Sequence, residues 1–211
     1  MISHSHKFIF ICPPKTGSTS LMSILLNYCI IKKLREQKEF NSFDFFELDN
    51  DFDLQSWKKF TSKINPPRKH AALSSYHKFN LTNYNLFAVV RNPYNRMVSF
   101  WKWETKSHQQ FYNLSFEKWL HIINHWTHRP QYDFIYSNHI DINRINLIKF
   151  ENLQEDFNIA CDTIGIPRQE LPHHNATKHT HYTEYYNNET KQIVAEKYAK
   201  DIEYFGYKFG S

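Results

Sequence analysis

The sequence predicts a three-layer α/β domain with a central parallel sheet, and three observations carry that prediction. Phe8-Ile9-Phe10-Ile11 is a short β-prone apolar run, stopped by Pro13-Pro14 and followed by Lys15-Thr16-Gly17-Ser18-Thr19-Ser20 and an apolar-rich helical stretch. Asn85-Leu86-Phe87-Ala88-Val89-Val90 is a second run without polar alternation. A strand of that kind is covered on both faces, as in a parallel sheet enclosed by helices. The 211 residues suit a single domain, spanning 1–211, with room for a sizeable core.

The first strand leads into a tight loop carrying a lysine and several hydroxyls, and then a helix opens at about Ser18. That order is the geometry of a phosphate cradle: the first amides of a helix have no partner within it, and the helix dipole adds positive potential at the same place. Gly17, one of only four glycines, allows close backbone approach to a ligand. The stretch differs from the nucleoside-triphosphate loop G-x-x-x-x-G-K-[ST], because Lys15 precedes the glycine and no glycine opens the loop.

The helix is predicted to run from about Ser18 to Glu39, burying Leu21, Ile24, Leu25 and Tyr28, with Lys32, Lys33, Arg35 and Lys38 at its negative pole. Residues 40–65 read as an irregular surface segment with its aromatics tucked inward. Asn65-Pro66-Pro67-Arg68 is a break, and Lys69 to Ser74 reads as a strand end passing into a short helix. The strand at 85–90 ends in Arg91-Asn92-Pro93, and a helix starts with the proline in its first turn. Arg91 therefore stands at the carboxyl end of a strand, where open parallel sheets bind ligands. Ser99 follows about two helical turns after the proline. A guanidinium fork and a hydroxyl suit one phosphate; the same arginine also suits pairing with a carboxylate.

Ser115 to Asn124 reads as a helix, and Asn188 to Lys200 as a structural terminal helix. His121, His125 and His128 have spacing that fits one face, but no cysteine or acid is placed to complete a zinc site and Pro130 follows closely, so no metal is expected. His173, His174, His179 and His181 fall in a loop, read as a cover on the ligand side. The net charge is +5 with scattered basic residues. That suits a polyanionic small ligand and gives no pattern for nucleic acid. Cys12, Cys29 and Cys161 lack C-x-x-C spacing and fit a reducing compartment. The N-terminus runs straight into the first strand and no apolar run reaches membrane-spanning length, so a cytoplasmic protein without a membrane partner is expected. The sequence carries no sign of oligomeric state.

Pro14-Lys15-Thr16-Gly17-Ser18-Thr19-Ser20 resembles the 5′-phosphosulfate loop of the sulfotransferases that use 3′-phosphoadenosine 5′-phosphosulfate (PAPS). Val89-Val90-Arg91-Asn92-Pro93-Tyr94, followed by Arg96, Val98 and Ser99, resembles their 3′-phosphate motif, in the form V-R-N-P-Y/W-[DE]-R-x-V-S of the carbohydrate-sulfotransferase branch. Ile148 to Leu153, Leu171 to Thr177, Tyr182 to Tyr186 and Asp201 to Tyr207 resemble later segments of the family. The likeness is weakest over 30–65. Asn95 stands where an acid is common, Ser18 where glycine is common, and Cys12-Pro13 where His-Ile is frequent.

The resemblance implies a fold similar to the P-loop nucleotide kinases. It implies transfer of a sulfuryl group from PAPS to an acceptor hydroxyl, on a saccharide, without a metal. Lys15 would neutralise the leaving oxygen, and the loop Lys15, Thr16, Gly17, Ser18, Thr19 and Ser20 would hold the 5′-phosphate. Arg91 and Ser99 would hold the 3′-phosphate, with Lys178 and Tyr182 reaching the nucleotide from a C-terminal cover. His70, at a family Lys/Gly-His position, would be the base, with His77 second and Glu39 or Glu47 as alternatives; an unperturbed imidazole titrates at about 6.5. Two other readings remain open at this point: a P-loop ATP-dependent kinase, disfavoured by the lysine position, and a non-catalytic binder of PAPS or its product.

Overall fold

The computed structural model describes residues 1–3, 5–28, 70–77, 79–172 and 180–211. Among these a four-stranded sheet runs in the order β1 (Ile2–Ser3), β2 (Phe8–Ile11), β3 (Asn85–Val90) and β4 (Ile145–Lys149). β2, β3 and β4 are parallel, with Ile9 opposite Leu86 and Val89 opposite Ile148. β1 is antiparallel to β2, pairing Ile2 with Ile9. The sheet is therefore mostly parallel. The expectation that the N-terminus runs straight into the first strand is corrected by a two-residue edge strand that the wholly buried Ile2 anchors. Such a short edge strand covers the open side of β2.

Side chains alternate across β2. Phe8 and Phe10 join Phe87, Val89 and Ile148 on one face, under α1 (Ser18–Leu25) and α5 (Leu153–Ile164). Ile9 and Ile11 join Leu86, Ala88 and Val90 on the other, against Leu73, Tyr76, Phe134 and Phe205. Phe134 lies in α4 (Tyr132–Ile135) and Phe205 closes α7 (Ala199–Phe205). Both faces are thus covered, which makes three layers and explains why β3 shows no polar alternation.

A third cluster joins α2 (Pro93–Ser107), α3 (Phe116–Ile122) and α6 (Asn188–Lys197) through Met97, Phe100, Trp119, Val194 and Tyr198. α2 starts as its sequence suggests. Pro93 occupies the first turn, and the Asn92 side chain accepts from the Tyr94 amide at 3.1 Å.

Two helices differ from expectation. α1 ends at Leu25 and tightens into a 3-10 turn over Leu26–Tyr28; the basic stretch assigned to its far end lies outside the described residues. The terminal helix is broken at Tyr198, whose buried hydroxyl donates to the His128 carbonyl at 2.6 Å, so that α6 and α7 pack as separate pieces. Among the described residues no helix is long and apolar enough to cross a membrane.

Candidate active site

β2 and β3 are neighbours in the sheet, so the loops leaving their carboxyl ends emerge side by side. Residues 12 to 15 then show a regular arrangement: each of the four carbonyls in turn accepts a hydrogen bond from a side chain. The Cys12 carbonyl lies 2.7 Å from His70 Nδ1, and the Pro13 carbonyl accepts from Thr16 Oγ1 at 2.8 Å. The Pro14 carbonyl accepts from Arg96 Nε at 2.9 Å, and the Lys15 carbonyl from Arg91 Nη1 at 3.2 Å. The loop is thus held by its acceptors. Lys15 has φ +66° and Gly17 φ +81°, with Thr16 between them at negative φ. Alternation of this sense makes successive amides converge into an anion-binding nest. A non-glycine residue at positive φ is uncommon and points to a site where the backbone is put to use.

α1 begins at Gly17 with no side-chain cap and no acid in its first turn. Its first amides are therefore left for a partner from outside the helix. Within the stretch assigned to the 5′-phosphate, Thr19 is exposed and Ser18 and Ser20 are buried. Thr16 is wholly buried with its hydroxyl donated to Pro13, so its side chain braces the loop and only its amide faces the question of a ligand. Gly17 has a reason beyond ligand approach: a Cβ there would sit 2.6 Å from Phe150 Cδ2.

Arg91 follows β3 directly. Gln131 satisfies both its backbone groups, accepting from its amide and donating to its carbonyl at 2.8 Å each. Its guanidinium stacks on Phe150 at 4.0 Å and donates from Nη2 to Asn95 Oδ1 at 2.8 Å. Nε is buried and unpartnered. Burial lowers the Arg91 pKa to about 10, against the pull of Glu151. Among the described residues Arg91 makes no salt bridge. Asn95, where the resembling motif commonly has an acid, supplies a neutral acceptor and leaves the arginine's charge uncancelled. A desolvated cation with neutral partners and one unused donor is a fitting receptor for a phosphate.

Asn95, Ser99 and Trp103 recur at four-residue intervals along α2 and so share a face. Ser99 is half-buried on that face. Trp103 is 45% exposed, and Lys15 Nζ stands 5.2 Å from its ring centre. No local pattern in the sequence marks this aromatic neighbour of the lysine.

His70 is half-buried. A carbonyl can only accept, so the contact with Cys12 puts the proton on Nδ1 and the lone pair of the neutral ring on Nε2. That fixes the tautomer a general base needs. His77 is exposed at the end of the 3-10 turn and bonds through Nδ1 to the Ser74 carbonyl at 2.9 Å. Tyr182 is buried among Tyr94, Tyr186 and Phe209. Its hydroxyl accepts from Gly210 N at 2.7 Å and Asn92 Nδ2 at 3.3 Å, and donates to the Ser211 carbonyl. Its hydroxyl thus meets the start of α2 at Asn92. Lys178, Glu39 and Glu47 lie outside the described residues.

The histidines once weighed for zinc separate. His125 bonds Thr127, and His128 is buried against Glu104 at 2.8 Å. His121 does meet acids, contrary to the sequence reading: Glu189 from α6 lies 3.2 Å away, and Glu117 completes an exposed trio on the surface. Glu117 comes from one turn earlier on α3, within reach of local spacing, whereas Glu189 comes from a distant helix and only folding brings it in.

Comparison with curated proteins and with solved structures gives no match. The family model described as "Sulfotransferase family" matches residues 1–208. The match covers nearly the whole length of the chain, and the chain belongs to the sulfotransferase family.

Proposed function

We propose that the protein transfers a sulfuryl group from PAPS to an acceptor hydroxyl, with a saccharide as the acceptor and His70 as the base. One observation carries this reading: His70 and Arg91, far from the lysine loop in sequence, are both bonded to its residues 12–15. The candidate base, the candidate 3′-phosphate receptor and the candidate 5′-anion cradle therefore share one scaffold.

The residues fit a donor bearing anions at both ends. The uncapped start of α1 and the converging amides of residues 15–19 suit the 5′ side. Arg91, with its unused Nε and uncancelled charge, suits the 3′ side together with Ser99. PAPS supplies a sulfuryl group and a leaving phosphate that gathers negative charge as the S–O bond breaks. Lys15 offers a point charge for that oxygen, and its ammonium is already held over Trp103. His70 accepts the acceptor's hydroxyl proton at Nε2 while Nδ1 stays anchored to Cys12. The exposed ring of Trp103, beside the lysine, offers a flat apolar face of the kind on which the C–H face of a sugar rests. The motif form shared with the carbohydrate branch supports the same acceptor class.

Calorimetric titration with adenosine 3′,5′-bisphosphate beside ATP with magnesium tests the donor. Tight binding of the bisphosphate and weak binding of ATP is the expected result; the reverse overturns it in favour of a kinase. Transfer of labelled sulfate from PAPS to a panel of saccharides then tests the acceptor. Nucleotide binding without transfer to any hydroxyl would identify a binder.

A further inference from the structure

We propose that Arg96 is the positioning residue of the 5′-anion cradle, acting through the Pro14–Lys15 peptide without touching the ligand, and that the buried His128–Glu104 pair fixes Arg96 in turn. The inference rests on the reading of residues 12–20 as the cradle.

Arg96 is wholly buried, yet among the described residues its donors meet no carboxylate. Nε donates to the Pro14 carbonyl, Nη1 to the Arg129 carbonyl at 3.1 Å and Nη2 to the Thr127 carbonyl at 3.0 Å. A buried charge costs several kcal/mol to desolvate, and well-packed apolar residues commonly replace such groups without loss of stability. Stability alone is a weak reason for an arginine here.

Peptide geometry supplies a better one. In a trans peptide the carbonyl and the following N–H point in opposite directions across one plane, and among the described residues there is no cis peptide. Holding the Pro14 carbonyl against Arg96 therefore turns the Lys15 N–H to the opposite side. Pro13 and Pro14 have no N–H, so after Cys12 the Lys15 amide is the first donor the loop possesses. Arg91 does the same for the next peptide: it holds the Lys15 carbonyl and so directs the Thr16 amide. Two arginines from one strand–helix junction thus aim two successive amides, and the φ alternation at Lys15, Thr16 and Gly17 makes them converge.

The grip on Arg96 comes from a short, rigid segment. Its two carbonyl partners, Thr127 and Arg129, flank His128, which is 2% exposed. His128 Nε2 meets Glu104 Oε1 at 2.8 Å, and Glu104 Oε2 accepts from Trp119 Nε1 at 2.8 Å. The His128 carbonyl accepts from Tyr198. Glu104 lies on α2, the same helix as Arg96, so both ends of the grip are fixed to one element. A peptide aimed in this way is preorganised for an anion before it arrives.

The experiment uses the whole chain and two nucleotides, adenosine 3′,5′-bisphosphate and adenosine 3′-monophosphate. Arg96→Lys keeps the charge and loses the fork. It should weaken the bisphosphate by about tenfold or more, the worth of one hydrogen bond to a charged group, and leave the 3′-monophosphate unchanged. A merely structural arginine would weaken both alike, and that result, or no change for either, overturns the proposal. A readout independent of any variant comes from amide NMR of the wild-type protein. The Lys15 amide should move on adding the bisphosphate and stay in place with the 3′-monophosphate; a Lys15 amide indifferent to saturating bisphosphate overturns the proposal. Wild-type protein that binds neither nucleotide refutes the cradle reading itself, which separates that failure from a failure of Arg96.

Discussion

Replacing Gly17 by alanine probes the seam between the loop and the 3-10 turn that follows β4 (Phe150–Asn152). A Cβ at this position would lie 2.6 Å from Phe150 Cδ2 and 2.8 Å from Cε2, with Leu153 Cδ2 at 3.5 Å. The backbone there also has φ +81°. The left-handed conformation costs a residue with a side chain about 1–2 kcal/mol. Forcing an aromatic ring aside in a packed region costs about 1–3 kcal/mol more. The sum, about 2–5 kcal/mol, is a large share of an ordinary domain's stability. At about 2–4 °C per kcal/mol for a chain of this length, a mid-range loss of about 3 kcal/mol lowers Tm by about 6–12 °C. Gly165→Ala is the matched control: φ is +71° and nothing lies within 4 Å of the added Cβ. It should show the conformational cost alone, about 1–2 kcal/mol. Thermal melting of both variants gives the comparison, and Phe150→Leu in the Gly17→Ala background should recover part of the excess. Because Phe150 also carries the Arg91 guanidinium at 4.0 Å, the excess loss should be accompanied by weaker nucleotide binding. Equal Tm losses at the two glycines would refute the contact, and with it the idea that Gly17 is required by Phe150.

Other perturbations separate binding from chemistry. Lys15→Ala should reduce kcat for sulfuryl transfer far more than affinity for adenosine 3′,5′-bisphosphate, because its charge matters most as the leaving group develops; steady-state kinetics beside calorimetry measure both, and equal losses would contradict that role. His70→Gln should retain nucleotide binding and lose about 10²–10⁴ in transfer rate, whereas near-normal turnover would move the base elsewhere. Trp103→Ala should raise KM for the acceptor and leave nucleotide affinity unchanged; an unaltered acceptor KM would remove it from the acceptor path. Burial pushes the Glu104 carboxyl up, but hydrogen bonds from His128 and Trp119 overcome this and hold it below the ordinary carboxylate range. A carboxylate depressed on folding contributes stability above its unfolded pKa and loses it as pH falls through the folded one. Wild-type Tm should therefore drop more steeply on the acid side than that of Glu104→Gln, and parallel profiles would count against the buried pair as the cause.

What the sequence disclosed depended on whether the cause was local. β3 was legible to the residue because an unbroken apolar run needs two covered faces, and clusters on both sides of the sheet supply them. The start of α2 was legible because Asn92 and Pro93 carry their own capping chemistry. α1 was overextended and the terminal helix was read as continuous. The break at Tyr198 is made by contacts with His128 and Met97, seventy residues and more away in the chain. The site divides in the same way. Lys15, Gly17, Arg91 and His70 stand out as candidates by type and order, since a cradle, a fork and a base would each require a particular side chain. Arg96 could be quoted within the motif but given no task, because its partners are the carbonyls of Pro14, Thr127 and Arg129. Every residue has a carbonyl, so nothing in the sequence marks the three that matter. If the proposed cradle is right, an anion site built from backbone amides is only half written in its motif: the motif names the residues that would meet the ligand, and the groups that would aim those amides come into view only when the chain is folded.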